Sequence, residues 1–254
     1  MANRRQFSLK NWLFELLLIA IPFILVTTAQ SSFATNFKCI DVLAPKVTFD
    51  IYANDYVMAN QVPITGGFVF PDHIVLADLN LTQADLASRF KGKSVVSVGE
   101  GVSGLLPLLL QNGVSARGLD LWYGSDNFPS NFSGKLMREY KEKYHDFLIP
   151  GDAQNMPFES GSVDVVLSHL LLNNIENIEI QKKILSEIIR VLKVSGEARI
   201  YGLDTDKRKE YQNFLRQTFG VALFSQFQII SPKYLFYNGS KSMSHDLLTI
   251  VKVR

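Results

Sequence analysis

Between residues 95 and 202 the chain repeats one pattern: a short apolar run, a turn rich in glycine or aspartate, then a helix with one apolar face. The run at 95–98 (VVSV) enters a turn at 99–104, and residues 105–112 leave it as a helix closed by Gly113. ARGLDLW (116–122) reads as a second strand ending at Asp120, and residues 135–147 as a charged amphipathic helix. FLIPGDA gives a short third strand and turn, and VDVVLSH (163–169) a strongly apolar fourth strand. Residues 180–193 carry apolar side chains at 180, 184, 185, 188, 189 and 192, which is helical spacing; EARIYG (197–202) follows as a fifth strand. Strands alternating with helices at this spacing must pair in parallel through right-handed crossovers.

The tail changes the pattern. A helix at about 206–219 precedes two strands, 224–231 and 245–253, separated by a turn-rich stretch around Asn238-Gly239. A hairpin-like pair closing a parallel sheet implies an antiparallel last strand. The expected fold is therefore α/β, a doubly wound, mostly parallel Rossmann-like sheet with an antiparallel last strand, preceded by an N-terminal hydrophobic segment.

That segment has a basic start (Arg4, Arg5, Lys10) and an uninterrupted apolar run of 11 residues from Leu16 to Val26. The length suits the apolar part of a signal peptide, and Thr27-Thr28-Ala29 and Ser32-Phe33-Ala34 offer small-x-small cleavage sites. Residues 12–29 approach a spanning length as an uncleaved membrane anchor, but include Glu15, which is costly deep in lipid. A third reading is a buried helix of the body. Under the first two the body is exported or membrane-anchored, on the non-cytoplasmic side by the charge rule. The chain then divides into 1–34 as signal or anchor, 35–92 as an extension that packs on the domain or caps its pocket, and 93–254 as the domain. Within the extension, 79–90 reads as a helix capped by Thr82 with Asp85 in its first turn.

Charge excludes one class of partner. Removing residues 1–29 takes away Arg4, Arg5, Lys10 and Glu15 and leaves 23 basic side chains against 23 acidic. A neutral body without a basic run is not expected to bind nucleic acid. The single cysteine, Cys39, allows no intrachain disulfide, and the four histidines show no ligand spacing, so no metal is expected.

Gly99, Gly101 and Gly104 satisfy G-x-G-x-x-G, and Asp120 ends the following strand. Glycines let backbone approach a ligand closely, and an acid at the next strand end can accept from ribose hydroxyls. This much fits either a nicotinamide dinucleotide or another adenosine cofactor.

The downstream sequence separates the two. GDAQNMPFESGSVDVVLSH (151–169) followed by EIIRVLKVSGEARIYG (187–202) resembles the class I S-adenosylmethionine-dependent methyltransferases, particularly their small-molecule type 11 branch, over about residues 93–202. The resemblance implies an enzyme with S-adenosylmethionine as cofactor and a small-molecule acceptor. Gly99, Gly101 and Gly104 would line the methionine and ribose portion, Asp120 the ribose hydroxyls, and Asp152 and Ala153 the adenine edge. Ser168 and His169 would face the methionine end and the acceptor, with His169 the candidate general base; Tyr123, Asn173 and Asn174 would line the acceptor side. Ser97 stands where the family usually has an acid that positions the cofactor's amino group. That contact is lost, supplied by Glu100, or absent from a degenerate site. The alternatives in function are an inactive cofactor-binding or interaction module of the same fold, and an NAD-dependent oxidoreductase.

Overall fold

The strand that leads into the glycine turn is the most deeply placed part of the molecule: Val95, Val96 and Val98 have no exposed surface. A computed structural model of the chain describes residues 57–59, 62–64, 72–125, 132–230 and 245–254. Its elements are β1 (Val57–Ala59), β2 (Val62–Ile64), α1 (Asp72–Asp78), α2 (Gln83–Arg89), β3 (Ser94–Val98), α3 (Leu105–Gln111), β4 (Ser115–Asp120) and α4 (Phe132–Tyr144). There follow β5 (Leu148–Pro150), β6 (Val163–His169), α5 (Ile178–Val191), β7 (Leu192–Asp204), α6 (Arg208–Phe219), β8 (Leu223–Ile230) and β9 (His245–Lys252). β1 and β2 form a separate antiparallel pair.

The main sheet has seven strands in the order β5-β4-β3-β6-β7-β9-β8. β5, β4, β3, β6 and β7 run parallel, while β9 lies antiparallel between β7 and β8, as the tail pattern implies. From β3 the chain steps to β4 on one side, and from β6 to β7 on the other. Right-handed crossovers in opposite directions put α3 and α5 on opposite faces. On the α3 face, Leu105, Leu106, Leu108 and Leu109 share one core with Val95, Ala116, Val165 and Leu167. Each leucine so buried contributes about 1.5–3 kcal/mol. On the other face α5 buries Ile184, Leu185, Ile188 and Ile189, and Gln181 at its start receives the Tyr211 hydroxyl of α6 at 2.6 Å.

Residues 75–90 pack on this domain. Val75, Leu79, Leu86 and Phe90 are completely buried in the α3-face core. Thr82 caps α2 as the sequence suggests: its hydroxyl accepts the Asp85 amide, and the Asp85 carboxylate accepts the Thr82 amide at 2.8 Å. Arg199 of β7 donates to the carbonyls of Leu79 and Asn80 at 2.9 and 3.0 Å, satisfying backbone that α1 leaves unpaired. The expected signal or anchor, residues 1–34, lies outside the described residues. Among those described, no helix is long and apolar enough to cross a membrane.

The two downstream motifs are in physical contact. Arg190, from RVLK, donates to the carbonyls of Met156 (3.0 Å) and Phe158 (2.8 Å), inside GDAQNMPF. Glu187 accepts the Met156 amide at 2.9 Å and pairs with Arg190 at 2.7 Å. One ion pair on α5 thus holds the loop that follows β5.

Candidate cofactor site

At the carboxyl ends of the parallel strands, where the order reverses beside β3, sheets of this topology leave a crevice for a ligand. The glycine turn lies there. Gly99 and Gly101 have φ of +70° and +55°, a conformation that glycine adopts without steric cost. The Gly99 amide donates to Leu119 O at 2.9 Å, tying the turn to β4. Gly104 has an ordinary helical φ of −75° and stands at the start of α3, so it needs no such freedom.

Asp120 closes the turn from the side. Its Oδ2 accepts the Gly101 amide and its Oδ1 the Trp122 amide, both at 2.9 Å. Burial pushes its carboxyl up to about 6, against the pull of these two donors. Tyr123, placed on the acceptor side by the sequence reading, is buried and donates its hydroxyl to Gly101 O at 2.7 Å. Gly101 therefore has both its amide and its carbonyl fixed by the segment after β4.

Glu100 turns into the protein. Its carboxylate is buried and accepts from the Ser97 and Ser103 hydroxyls, the Leu106 amide and the Tyr140 hydroxyl. Burial lifts its carboxyl to about 7 and, with the Glu100 charge, raises the Tyr123 and Tyr140 hydroxyls well above the usual tyrosine range. Gly118 of β4 makes room for it, since a Cβ there would lie 3.1 Å from Glu100 Cγ.

On the β6 side, Ser168 is fully buried and its Oγ has no hydrogen-bond partner. The His169 Nε2 lies 2.9 Å from the Asp78 carboxylate of α1, and its ring stacks on Tyr201 at 5.4 Å. Leu170 has a φ of +60°, an unusual conformation for a non-glycine residue. Leu171 then lies over the glycine turn, where a Cβ on Gly99 would meet its side chain at 2.8 Å. The structure joins Gly99, Glu100, Gly101, Asp120 and Tyr123 into one bonded unit. Asp152, beyond β5, is half-buried and spends its carboxylate on Gln154 of its own loop (2.8 and 3.4 Å), with Ala153 buried beside it. Asn173 is exposed, and Asn174 donates to Leu170 O at 2.7 Å. Asp78, Tyr140 and Leu171 were missed by sequence reasoning. No local signal marks them, because each meets its partner across a long stretch of chain.

The residues present fit an adenosine cofactor with a hydroxyl-bearing ribose. The site for a Cβ at Gly101 has nothing within 4 Å, so a ligand can approach its Cα closely on that side. The Asp120 oxygens each retain a lone pair for a hydroxyl donor, and the orphaned Ser168 hydroxyl marks a buried polar position. Among the described residues no group of three or more His, Cys, Asp or Glu side chains is placed to hold a metal ion.

Sheet order, glycine turn and strand-end acid together define a Rossmann-like cofactor-binding domain. Residues 96–200, less than half of the chain, match the family model described as "Methyltransferase domain", a domain of S-adenosylmethionine-dependent methyltransferases. No curated protein matches the chain. Similar solved structures include an S-adenosylmethionine-dependent methyltransferase of Methanococcus maripaludis (17% identity, TM-score 0.46, 71% of this chain and 86% of that one). Another, from Aquifex aeolicus, has 15% identity and a TM-score of 0.46 over 72% of this chain and 94% of that one. A Haemonchus contortus phosphoethanolamine N-methyltransferase, in complex with phosphomonomethylethanolamine and S-adenosylhomocysteine, has 18% identity and a TM-score of 0.44 over 68% of this chain and 52% of that one.

Proposed function

We propose that the protein transfers a methyl group from S-adenosylmethionine to a small-molecule acceptor, with the cofactor held at the Gly99–Gly101 turn and its ribose on Asp120. The observation that carries this reading is the Asp120 carboxylate, fixed by the Gly101 and Trp122 amides at the carboxyl end of β4. The cofactor supplies an activated methyl on a sulfonium. The protein's part is to orient the two reactants and keep water out. Gly99 and Gly101 present backbone, Ser168 a hydroxyl, and the loop at Asp152 and Ala153 the wall for the adenine. His169, held by Asp78 at the end of β6, is the residue assigned to take a proton when the acceptor must lose one.

Calorimetry with S-adenosylhomocysteine and with NAD tests the reading. Binding of the first and not the second is expected; the reverse would replace it with the oxidoreductase alternative. A second reading, an inactive cofactor-binding or interaction module of the same fold, rests on Ser97 standing where the family usually has an acid that positions the cofactor's amino group. Saturable S-adenosylhomocysteine binding with no methyl transfer across a broad metabolite pool would select it. The segment 1–34 is proposed to export or anchor the domain, which protease protection of the C-terminus in fractionated cells would check.

A further inference from the structure

The acidic side chain inside the glycine turn does not face outward to a ligand. Glu100 Oε1 meets three donors: Ser103 Oγ at 3.0 Å, the Leu106 amide at 3.0 Å and Tyr140 Oη at 2.9 Å. Its Oε2 meets Ser97 Oγ. These donors come from β3, the turn, the first turn of α3 and α4, so a single carboxylate joins four segments. Gly104, at the start of α3, offers no side-chain cap, and Glu100 with Ser103 provides it instead: Ser103 Oγ accepts the Leu105 amide at 2.9 Å. The next residue, Gly101, is the one with open space where a side chain would stand.

We propose that Glu100 is a positioning residue for the cofactor: by binding Ser97, Ser103, Leu106 and Tyr140 it fixes the turn in the conformation that presents Gly101 to S-adenosylmethionine. This rests on the reading that the cofactor binds at that turn. Four donors around one carboxyl group suit its ionised form, because every bond is then charge-assisted and no acid proton needs a place. Burial opposes ionisation and brings the group to about 7, so the clamp tightens as pH rises through neutrality. The titratable groups that face it are Tyr140 of α4 and Tyr123 of the segment after β4, and Tyr123 in turn faces Asp120. The tyrosines stay neutral in this range, and Asp120 titrates at about 6.

Glu100→Gln is the informative variant. Its amide oxygen can still accept from Leu106, Ser103 and Tyr140, and its nitrogen can donate to Ser97, so the shape of the network survives while the charge is lost. In the full-length protein, S-adenosylhomocysteine binding by Glu100→Gln at pH 8 is expected to be about 5- to 10-fold weaker than wild type. At pH 5.5, where Glu100 of the wild type is itself protonated, the two are expected to agree. Thermal stability at pH 8 is not expected to fall, because a buried charge has been removed; a residue with only a structural role would not separate affinity from stability in this way. Tyr140→Phe is expected to weaken binding about 2- to 3-fold at pH 8. Hydrogen exchange of the ligand-free protein at pH 8 is expected to be faster at residues 100–106 in Glu100→Gln than in wild type. Equal affinity at pH 8 in wild type and Glu100→Gln would overturn the proposal. A wild type that binds no S-adenosylhomocysteine would overturn the cofactor reading instead. The exchange measurement would then judge Glu100 separately, with unchanged protection refuting its hold on the turn.

Discussion

His169 and Asp78 stand 91 residues apart in the chain and 2.9 Å apart in the structure, imidazole Nε2 to carboxylate Oδ2. An ionised carboxylate only accepts hydrogen bonds, so Nε2 carries the proton and Nδ1 the lone pair in the neutral ring. Both side chains are largely buried, at 6% and 12% exposure. The pair therefore fixes a tautomer at the end of β6 and pins α1 to the sheet.

Removing the carboxylate leaves a buried N–H without its acceptor. Asp78→Ala is expected to lower stability by about 1–3 kcal/mol in chemical denaturation, and Asp78→Asn, whose amide oxygen can still accept, by about 1 kcal/mol or less. Ring nitrogen-15 shifts are expected to report the Nε2–H form in the wild type and a tautomer mixture in Asp78→Ala. A wild-type ring protonated at Nδ1 would contradict the assignment.

Asp120 must be ionised to hold two backbone amides and still accept from ribose hydroxyls. Since burial places its carboxyl at about 6, S-adenosylhomocysteine affinity is expected to rise as pH goes from 5 to 7. Asp120→Ala is expected to weaken binding by about 1–3 kcal/mol, the worth of charge-assisted bonds. Calorimetry at several pH values checks both; affinity independent of pH and of the Asp120 side chain would remove it from the site.

Gly99 and Gly101 are both left-handed, yet differ in what a methyl group would meet. Gly101→Ala has open space and pays only for its φ, about 1–2 kcal/mol, while the added Cβ stands where the cofactor approaches. Gly99→Ala has the same backbone cost and also meets Leu171 at 2.8 Å, adding about 1–3 kcal/mol of overpacking. The expected result is a modest stability loss with abolished binding at 101, and a larger stability loss at 99. Equal losses at the two positions would mean that Leu171 yields freely.

Glu100 also shapes stability against pH. Its folded-state pKa, about 7, lies above the ordinary 4.5, so the folded protein binds a proton more tightly than the unfolded chain does. The stability this contributes is complete below about 4.5 and is lost as pH rises through 7. At about 1.4 kcal/mol per unit the loss is on the order of 3 kcal/mol. His245 acts in the opposite sense: burial lowers its pKa, so its contribution is present above 6.5 and lost as pH falls. The difference between wild type and Glu100→Gln isolates the glutamate. Wild-type unfolding free energy is expected to fall relative to the variant between pH 5 and 8, and parallel curves would show that Glu100 does not titrate in this range.

Much of the fold can be read locally. The strand 163–169 and the helix after β3 have the expected positions because apolar spacing and turn residues act over a few neighbours; the helix after β6 lies two residues earlier than expected, and β7 starts at Leu192 rather than at 197. The antiparallel β9 follows from the hairpin-like tail, and the Thr82 cap from a hydroxyl three residues before an acid. The glycine turn and Asp120 meet through the Gly101 amide, and the two downstream motifs meet through Glu187 and Arg190. The role of Glu100 was not legible, because a glutamate in a turn looks solvated until Ser97, Leu106 and Tyr140 are seen around it.

The sequence by itself determined the alternation of strands and helices from residue 94 on, which depends on short-range patterns, while the kind of cofactor followed from the resemblance of 151–169 and 187–202 to the methyltransferases. Only the tertiary structure decided where each polar group is used. Tyr123 is bound to Gly101, Glu100 is buried as a clamp, and His169 is paired with Asp78. The physical reason is that hydrogen bonds and burial are settled among residues brought together by the sheet, and a buried carboxylate or imidazole takes its chemistry from those neighbours rather than from the residues beside it in the chain.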